Sequence, residues 1–276
     1  MGIRRWTLGR IGFCPAVDRA YALCYFLYRH HRWPRAYLFN DRLFRMRWNG
    51  DLLDPLRQKV TDKYLVKEYV SARAGAQYTV PTFAILRTEI EIYEYTFPEQ
   101  CVVKPSHATA VALLVKDGTV DRALVKRWLH LDHYRVNREQ NYAFLTPGII
   151  VEEYALGIPA AADDFKVHCF QGVPKAIQVD QDRFGDHRRI MYDTEWNALP
   201  YGIHDPIGVP VPRPANLGEM LRVAGILSQE FDFVRVDFYT DGTILKVGEI
   251  TNCHGGAGQR FIPRKAEADF SRLLFG

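Results

Sequence analysis

The sequence has few cysteines and no paired cysteine motif. Its five cysteines are an odd number, and no two of them are spaced as CxxC. Zinc sites and thiol–disulfide motifs use such close pairs, and small secreted domains use an even disulfide framework. We therefore expect reduced thiols in a reducing compartment. The cysteines are Cys14, Cys24, Cys101, Cys169 and Cys253.

Long apolar runs are also missing. No stretch reaches the ~20 apolar residues that a membrane-spanning helix needs. The first residues carry positive charge, but Arg10, Asp18 and Arg19 interrupt any apolar core of a signal peptide. Internal repeats and low-complexity segments are absent as well. These absences predict a globular protein with a cytoplasmic location.

Neither sign of charge dominates the chain. The net charge is +4 over 276 residues, with 47% hydrophobic and 25% charged residues, which is ordinary for a globular protein. The first 50 residues are the exception, since Asp18 and Asp41 are their only acids among many arginines. Their aromatic content argues against a nucleic-acid-binding tail. We interpret this segment as a contact surface for an anionic partner or membrane headgroups, or as a structural subdomain that covers one lobe.

A predicted hairpin near the end of the chain carries the most chemical information. Residues 233–239 and 244–250 alternate as strands do, and the Asp-Gly pair between them is a turn signal. Alternation places Arg235 and Asp237 on the same face of the first strand. A charged pair on an otherwise apolar strand is costly unless it meets other charge, so this face is a candidate site.

Oxygen ligands follow on the second strand of the hairpin. Glu249 ends that strand, and Asn252 comes three residues later. Together with Asp237 they offer the hard oxygen atoms that Mg²⁺ takes, with phosphate oxygens and water completing the coordination. The alternative is an exposed acidic hairpin with a purely structural Arg235–Asp237 ion pair. The residues of this stretch leave both interpretations open.

Strand register tests the metal interpretation. A two-residue turn would pair Thr240 with Thr243 and leave Asp237 and Glu249 on opposite faces of the hairpin. Placing the two carboxylates on one face requires a different turn. We therefore predict a longer loop or a β-bulge at Gly242, where glycine tolerates positive φ.

Several cationic residues precede turns or strand ends. Residues 61–75 predict a helix in which Lys63 and Lys67 lie one turn apart on one face. Lys104 finishes a short apolar strand, and a lysine there reaches outward or meets an anion such as phosphate. Ser106 opens a turn of small residues, whose backbone amides can approach phosphates closely. This turn contains no glycine, and for Lys67 a solvated surface is the alternative.

Carboxylates end one predicted strand and open the next. Residues 148–154 predict a strand that leaves Glu152 and Glu153 near its end. At most one of these two faces a shared pocket, because neighbouring strand residues point to opposite faces. Asp164 opens the following strand, which carries Lys166.

The order of these segments resembles the ATP-grasp fold. The segments are DKYLVKEYV, YTVPTF, VVKPS, VEEY, DFKVHCFQGVPKAI, DFVRVDFY and GEIT, in that order. The chain is most similar to the TupA-like branch, named for teichuronopeptide biosynthesis, over roughly residues 50–265. The resemblance implies an α+β fold in which two α/β lobes grip the nucleotide between antiparallel sheets, with a basic N-terminal helical region in addition.

The resemblance also implies a division of the chain into four parts. Residues 1–60 would form the basic N-terminal helical region, and residues 61–100 a linking segment before the grasp lobes. Residues 101–155 would form the first lobe, from the phosphate loop to the hinge. Residues 156–276 would form the second lobe with the Mg²⁺ site.

One group of residues resembles the ATP-binding residues of the family. Two lysines would contact the phosphates, and the turn of small residues would form the phosphate loop. The segment 152–155 resembles the hinge that reads the adenine edge, and one carboxylate there, or Asp164, would hold the ribose hydroxyls. The implied ATP-binding residues are Lys67, Lys104, Ser106, Glu152, Glu153, Tyr154, Ala155 and Asp164.

A second group resembles the catalytic residues. Arg235 resembles the arginine that stabilises the transferred phosphoryl group, and Lys166 resembles a strand lysine that faces the phosphates or the acceptor. Asp237 and Glu249 resemble the two carboxylates that bridge Mg²⁺. The sequence departs from the general pattern at Thr251, where ATP-grasp enzymes usually have asparagine, and in the phosphate loop, which lacks the usual glycines. The TupA-like branch also tends to lack that asparagine.

Two segments are candidates for binding the acceptor. Gly255 and Gly256, followed by Arg260, come after the metal strand and suggest an acceptor-binding turn. Arg183 and His187 lie in a charged loop and are candidates to hold an anionic acceptor. For the charged loop, a solvated segment without function is the alternative.

These roles predict an ATP- and Mg²⁺-dependent carboxylate–amine ligase. The acid would be phosphorylated to an acylphosphate, and an amine would then displace phosphate to form an amide. The resemblance points to acid and amine acceptors in cell-surface polysaccharide or peptide biosynthesis, in association with membrane-bound polysaccharide machinery. The alternatives are a kinase of the same fold that acts on a small molecule or sugar, and a non-catalytic nucleotide-binding component of an assembly complex. No nucleic-acid partner is expected, and the oligomeric state is left open.

Overall fold

The structure, a computed structural model, describes residues 11–35, 37–154, 164–182 and 185–276. The helices in these ranges are α1 (Pro15–His30), α2 (Phe39–Asn49), α3 (Pro55–Thr61), α4 (Leu65–Arg73), α5 (Glu89–Glu94), α6 (Arg122–Leu129), α7 (His133–Asn137), α8 (Leu217–Ser228) and α9 (Ala266–Phe275). The strands are β1 (Thr82–Leu86), β2 (Cys101–Pro105), β3 (Leu113–Val115), β4 (Ile149–Glu152), β5 (Asp164–Phe170), β6 (Val173–Gln181), β7 (Arg188–Tyr192), β8 (Gly202–Ile203), β9 (Phe233–Thr240), β10 (Leu245–Thr251) and β11 (Phe261–Ile262).

Two antiparallel sheets form the framework of the molecule. The first sheet has the strand order β1-β4-β2-β3, and the second has the order β10-β9-β5-β6-β7. Neighbouring strands in both sheets run antiparallel. A short ribbon of β8 and β11 accompanies them. The predicted α+β fold on antiparallel sheets is confirmed.

The second sheet buries one apolar face against helix α8. Side chains at every other position of its strands, including Val167, Ile177 and Phe238, pack on Met220 and Ala224 of that helix. Burying an aliphatic or aromatic side chain of this size stabilises a fold by ~1.5–3 kcal/mol. This core fixes the strands, and alternation then directs their intervening residues to the opposite face.

The opposite face of the second sheet is apolar at one end and charged at the other. At one end, Ala176 and Phe233 are covered by aromatic side chains of α2 and α9. Phe39 and Phe270 meet there edge to face, with ring centroids 5.1 Å apart. Farther along the same strands, this face carries buried charged residues such as Lys166 instead. The covered end supports the charged end, where the candidate site lies.

The first sheet follows the same rule. Val103 and Val151 point to one face and pack on Val125 of α6. Lys104 and Glu152 occupy the alternate positions of β2 and β4, so they lie on the other face. Each sheet therefore offers one apolar face to helices and one charged face to the space between the sheets.

The basic N-terminal helices are part of this core. Helices α1 and α2 lie in the N-terminal region that the resemblance implies to be helical, although α2 has no clear hydrophobic period. The start of α2 is stabilised by Asp41, whose carboxylate accepts from the backbone N–H of Leu38 at 3.3 Å and pairs with Arg32 at 2.6 Å. Phe39 and Leu43 of α2 are each 1% exposed. The segment therefore covers one lobe, as the structural interpretation predicts, and the four-part division stays a prediction.

The hairpin of β9 and β10 places the two predicted metal carboxylates opposite each other. Its loop is longer than two residues, as predicted, but the β-bulge lies at Gly248 and the predicted position at Gly242 is wrong. The bulge shifts the alternation of β10 by one residue and brings Glu249 directly opposite Asp237. Glycine fits there because the ring of Tyr239 covers the bulge.

Gly248→Ala is expected to destabilise the protein by ~1–3 kcal/mol, because added atoms in a packed site force shifts of backbone or neighbours. A Cβ at this position would lie 2.8 Å from Cε2 and 3.0 Å from Cζ of Tyr239. Urea unfolding measures the change. Gly218→Ala in α8 is the matched control, since its Cβ would meet no atom within 4 Å. Equal stability of the two variants would contradict a packing requirement at the bulge.

In the ranges that the structure describes, no helix combines the length and the apolar character required to cross a bilayer. The five cysteines are all free, and Cys101, Cys169 and Cys253 are buried. The expectation of reduced thiols is consistent with this arrangement.

Candidate active site

The predicted metal carboxylates share one arginine. Asp237 is 4% exposed, and Arg235 donates to both of its oxygens, from Nε at 2.7 Å and from Nη2 at 2.7 Å. The Oε1 atom of Glu249 lies 3.7 Å from Nη2 of Arg235, and Thr251 accepts from the same nitrogen at 3.1 Å. The predicted phosphoryl-stabilising arginine is thus brought to the predicted metal site.

Strand β5 adds Lys166 to the same group. Its Nζ lies 3.0 Å from Oδ2 of Asp237 and 3.7 Å from Oδ2 of Asp180, and it also contacts Asp164. Burial alone would lower the pKa of Lys166, but the surrounding carboxylates, Asp237 first, raise it above its ordinary value. The lysine therefore stays charged, and its positive charge offsets part of the repulsion among the three acids.

The two predicted phosphate lysines converge on one carboxylate of the first sheet. Nζ of Lys67 donates to Oε2 of Glu152 at 2.7 Å and to Oγ1 of Thr82 at 2.5 Å, and Lys104 contacts Oε1 of Glu152. Burial alone would raise the pKa of Glu152, but the two lysines hold it below its ordinary value. Two ammonium groups are thus gathered at one point, as the binding of a multiply charged phosphate requires.

The charged faces of the two sheets approach each other through residues that the resemblance did not assign. The Nζ atom of Lys63 donates to the carbonyl of Ala108 at 2.7 Å and lies 4.0 Å from Oε2 of Glu249. Burial raises the pKa of Tyr239. Lys104 of the first sheet acts to lower this pKa, and Glu249 of the second sheet acts to raise it. Both residues had a sequence signal, since Lys63 lies one turn from a predicted phosphate lysine and Tyr239 shares a face with Asp237.

The predicted phosphate loop is anchored at its first residue. Ser106 is buried, donates from Oγ to Oδ2 of Asp62 at 3.1 Å, and accepts from the backbone N–H of Lys63 at 3.0 Å. Ala110 has φ of +68°, a conformation that usually favours glycine. The loop therefore reaches a left-handed turn without the glycines that the family pattern contains. His107 of this loop accepts from the backbone N–H of Gly148, which ties the loop to the start of β4.

The predicted hinge is only partly used as expected. Glu152 turns to the two lysines, and Asp164 contacts Lys166, so neither carboxylate is set aside for a ribose. Glu153 is exposed. The Tyr154 hydroxyl donates to the carbonyl of Val115 at 2.7 Å, and Ala155 lies outside the described residues.

Asn252 does not lie with the metal carboxylates. It is 1% exposed, and its Oδ1 accepts from Nη1 of Arg57 at 3.0 Å. Its Nδ2 donates to the Arg57 carbonyl and to Oγ1 of Thr61, both at 3.0 Å. The amide thus joins β10 to α3, and we remove it from the metal-ligand set.

The predicted acceptor-binding turn is covered by the N-terminal helices. The carbonyl of Gly256 accepts from Nη1 of Arg47, and that of Gly258 accepts from Nε of Arg29, both at 2.8 Å. Gly255, like Gly256, has positive φ, which shapes the turn toward these arginines. Arg260 donates to backbone carbonyls at the end of α1. Gly256, Gly258 and Arg260 thus dock α1 and α2, and the binding of an acceptor by Gly255, Gly256 and Arg260 stays a prediction.

The charged loop has one residue near the site. His187 lies 3.7 Å from Oδ2 of Asp180 through Nε2, and Arg183 lies outside the described residues. Asp180 belongs to β6 and accepts from Nε of Arg189 at 2.6 Å. Because Asp180 also faces Lys166, it links His187 to the metal carboxylates. Alternation along β6 was the available signal for Asp180.

The buried imidazole of His168 gives the stability a pH dependence. Burial, with a contribution from Arg235, lowers the pKa of His168 to about 3. The unfolded chain binds a proton below pH ~6.5 and the folded protein does not, so the free energy of unfolding should fall as pH decreases from 6.5 toward 3. Between pH 7 and pH 5 this loss amounts to about 2 kcal/mol. In guanidinium unfolding, the free energy of unfolding of His168→Gln should depend less on pH than that of the unchanged protein. The exposed control His31→Gln should keep the pH dependence of the unchanged protein.

The donor set fits Mg²⁺. Asp237 and Glu249 offer carboxylate oxygens from paired positions of two strands, which suits a hard cation that keeps water and phosphate ligands. Within the described ranges, no group of three or more histidine, cysteine, aspartate or glutamate side chains is arranged to hold a metal ion. A cation held by Asp237 and Glu249 would share its other positions with phosphate and water.

Among the solved structures that this chain matches are two ligases and a synthetase of low sequence identity. A D-alanine–D-alanine ligase from Bacillus anthracis is 18% identical, with a TM-score of 0.44, and 79% of this chain matches 64% of that one. The D-cycloserine synthetase DcsG is 14% identical, with a TM-score of 0.45, over 84% of this chain and 77% of that one. The ATP-grasp ligase PsnB, complexed with a minimal precursor, is 14% identical, with a TM-score of 0.41, and 84% of this chain matches 68% of that one.

The chain thus spans about two thirds of the length of the ligases PsnB and D-alanine–D-alanine ligase. A search of curated proteins found no match. The model of one protein family, described as TupA-like ATP-grasp, matches residues 45–272, which is most of the chain. This match covers both sheets and all the charged residues between them. The chain belongs to the TupA-like ATP-grasp family.

Proposed function

We propose that the protein is an ATP- and Mg²⁺-dependent ligase that joins a carboxylate to an amine. The observation that carries the proposal is the pairing of Asp237 with Glu249 around Arg235, opposite the two lysines on Glu152. A nucleotide triphosphate between the sheets would meet cations on one side and metal-binding carboxylates on the other.

The residues of the chain would act mainly by positioning and by charge. Lys67 and Lys104 would leave Glu152 to hold the phosphates, and Arg235 would donate to the phosphoryl group in transfer. Asp237 and Glu249 would hold Mg²⁺, which neutralises phosphate charge when bound.

The reaction would have two steps. An oxygen of the acid attacks the γ-phosphorus, and ADP leaves with the electron pair of the broken P–O bond. The amine nitrogen then attacks the acyl carbon, phosphate leaves, and the nitrogen loses a proton. The acylphosphate must be protected from water, and the loop after Ser106, which is tied to Lys63, is suited to cover it.

The acceptors belong to the same proposal. We infer an acid and an amine of cell-surface polysaccharide or peptide biosynthesis, which fits a cytoplasmic enzyme that works with membrane-bound polysaccharide machinery. Lys166 and His187, which share Asp180, are the residues best placed to attract an anionic acid beyond the metal site.

Hydroxylamine trapping tests the reaction class. The protein is incubated with ATP, Mg²⁺ and hydroxylamine across a panel of uronic acids and amino acids. ADP together with a hydroxamate identifies carboxylate activation and names the acid. ADP and a stable phosphorylated product without hydroxamate would overturn the ligase proposal in favour of a kinase. ATP binding without turnover across the panel would favour a non-catalytic component.

A further inference from the structure

A basic groove lies outside the candidate active site. It has a volume of about 420 Å³ and lies where the end of α1 meets the segment before α9. We call this cavity the basic groove. Arg32 on its wall is paired with Glu267, and its other arginine and lysine side chains are Arg29, Arg260, Arg264 and Lys265. None of these residues contacts the metal carboxylates or the lysines on Glu152 in the described ranges.

The groove is positively charged without internal compensation. Among the described residues, no carboxylate forms an ion pair with any of these four other cations. Arg29 and Arg260 donate to backbone carbonyls, which orients their guanidinium groups but does not neutralise them. The acid on its wall, Glu267, is already paired with Arg32 and accepts from Asn40. Four cations around one concave surface create a potential that attracts an anion.

Three exposed aromatic residues are neighbours, in the chain, of residues that line the groove, namely Arg29, Arg32 and Leu38. Tyr28 is 62%, Trp33 68% and Tyr37 60% exposed. Contacts join this rim to the groove, since Arg260 donates to the carbonyl of Tyr28 at 3.4 Å. Arg32, which pairs with Glu267 in the groove wall, donates to the carbonyl of Trp33 at 3.2 Å. Large amphipathic rings beside cations are typical of surfaces that lie in a membrane interface.

We propose that this face binds the surface of an anionic lipid bilayer, with a headgroup phosphate in the basic groove and the three aromatic rings at the level of the headgroups. Each Lys or Arg near such a surface contributes to binding, and so does each buried ring. A soluble polyanion would use the cations but would leave Tyr28, Trp33 and Tyr37 in water. The aromatic rim therefore favours a membrane over a dissolved polymer.

Vesicle sedimentation with the full chain tests the proposal. The probes are vesicles of phosphatidylcholine with and without phosphatidylserine. Arg264→Glu/Lys265→Glu changes two exposed groove residues, and Lys116→Glu/Arg127→Glu changes two exposed cations elsewhere by the same charge. The protein should bind only the phosphatidylserine vesicles. The groove variant should bind at least about 30-fold more weakly, since two cations that contribute ~1 kcal/mol each are replaced by anions, and the control variant should bind as the unchanged protein does.

A second variant separates the aromatic contribution. Trp33→Ala should weaken binding to phosphatidylserine vesicles by about tenfold, and the loss should persist at high salt, where the electrostatic part is screened. Equal losses in the groove and control variants would overturn the proposal, because they would indicate general charge attraction. Binding to soluble polyglutamate but not to vesicles would also overturn it. These outcomes do not depend on the proposed ligase activity, since no nucleotide is present.

Discussion

Glu249→Gln is expected to lower ATP turnover by about 10²–10³-fold while the protein remains folded. Glu249 is the less buried of the two metal carboxylates, with 39% of its side chain exposed. Two of its contacts with cations are long, at 3.7 Å to Arg235 and 4.0 Å to Lys63. Its charge is therefore used less for folding than that of Asp237, which Arg235 and Lys166 both contact. A loss of turnover in this variant reports on the metal site.

A Mg²⁺ titration of ADP release gives the decisive measurement. Glutamine keeps the shape of the side chain but removes the charge that a hard cation requires. The Mg²⁺ concentration at half-maximal turnover should therefore rise in Glu249→Gln. Glu68→Gln, on the exposed side of α4, is the matched control and should behave as the unchanged protein. An unaltered Mg²⁺ requirement in Glu249→Gln would contradict the assignment of this residue as a ligand.

The charged face of each sheet could be predicted from the sequence because strand alternation is local. Positions two apart share a face, which places Arg235 with Asp237 and separates Glu152 from Glu153. The need to place Glu249 on the face of Asp237 also predicted an irregular hairpin. The position of the bulge could not be predicted in this way, because it depends on the ring of Tyr239 that packs over Gly248 from the neighbouring strand.

Residues that serve long-range contacts were harder to interpret. Asn252 follows the metal strand and is a chemically suitable ligand, but its amide is used by Arg57, which is 195 positions away in sequence. The turn at Gly256 resembles a ligand-binding loop until Arg47 is placed against its carbonyl. A buried amide or carbonyl is bound by whichever partner the fold brings to it. A single sequence does not contain that pairing, so local pattern overestimates the number of ligand-binding residues.

Asp180 and Arg189, the buried charged residues beyond the metal site, were missed for a related reason. No role was predicted for Asp180 from the sequence, and the charged loop beside it had a solvated segment as its alternative. In the structure β6 continues through Asp180, which is 3% exposed and paired with Arg189. Burial alone would raise the pKa of Asp180, but Lys166 and Arg189 hold it well below its ordinary value. Only the partners on β5 and β7 make a charged position compatible with a buried strand.

Glu152→Gln is expected to lower the free energy of unfolding of the nucleotide-free protein by ~3–5 kcal/mol, because breaking a buried ion pair leaves an uncompensated charge. Here the uncompensated charges are two, since Lys67 and Lys104 both contact this carboxylate. Their side chains are only 17% and 12% exposed, so water replaces little of the lost interaction.

The same substitution should increase the stabilisation that ATP provides. In the unchanged protein the phosphates must compete with Glu152 for the two lysines. In Glu152→Gln the lysines have no anionic partner until the nucleotide arrives, and binding then restores their compensation. Ligand binding to the folded state alone stabilises by an amount that grows with affinity. Urea unfolding with and without ATP and Mg²⁺ should therefore show a larger nucleotide effect in the variant, although the variant starts less stable.

Glu153→Gln is the matched control for the nucleotide-free measurement. Glu153 is the next residue along the chain, is exposed, and has no ion pair among the described residues. Its substitution should change the free energy of unfolding by less than about 0.5 kcal/mol. Equal destabilisation by the two substitutions would contradict a special role for the Glu152 carboxylate. A destabilised Glu152→Gln on which ATP has no larger effect would show that the nucleotide phosphates do not replace this carboxylate, and that Lys67 and Lys104 are structural.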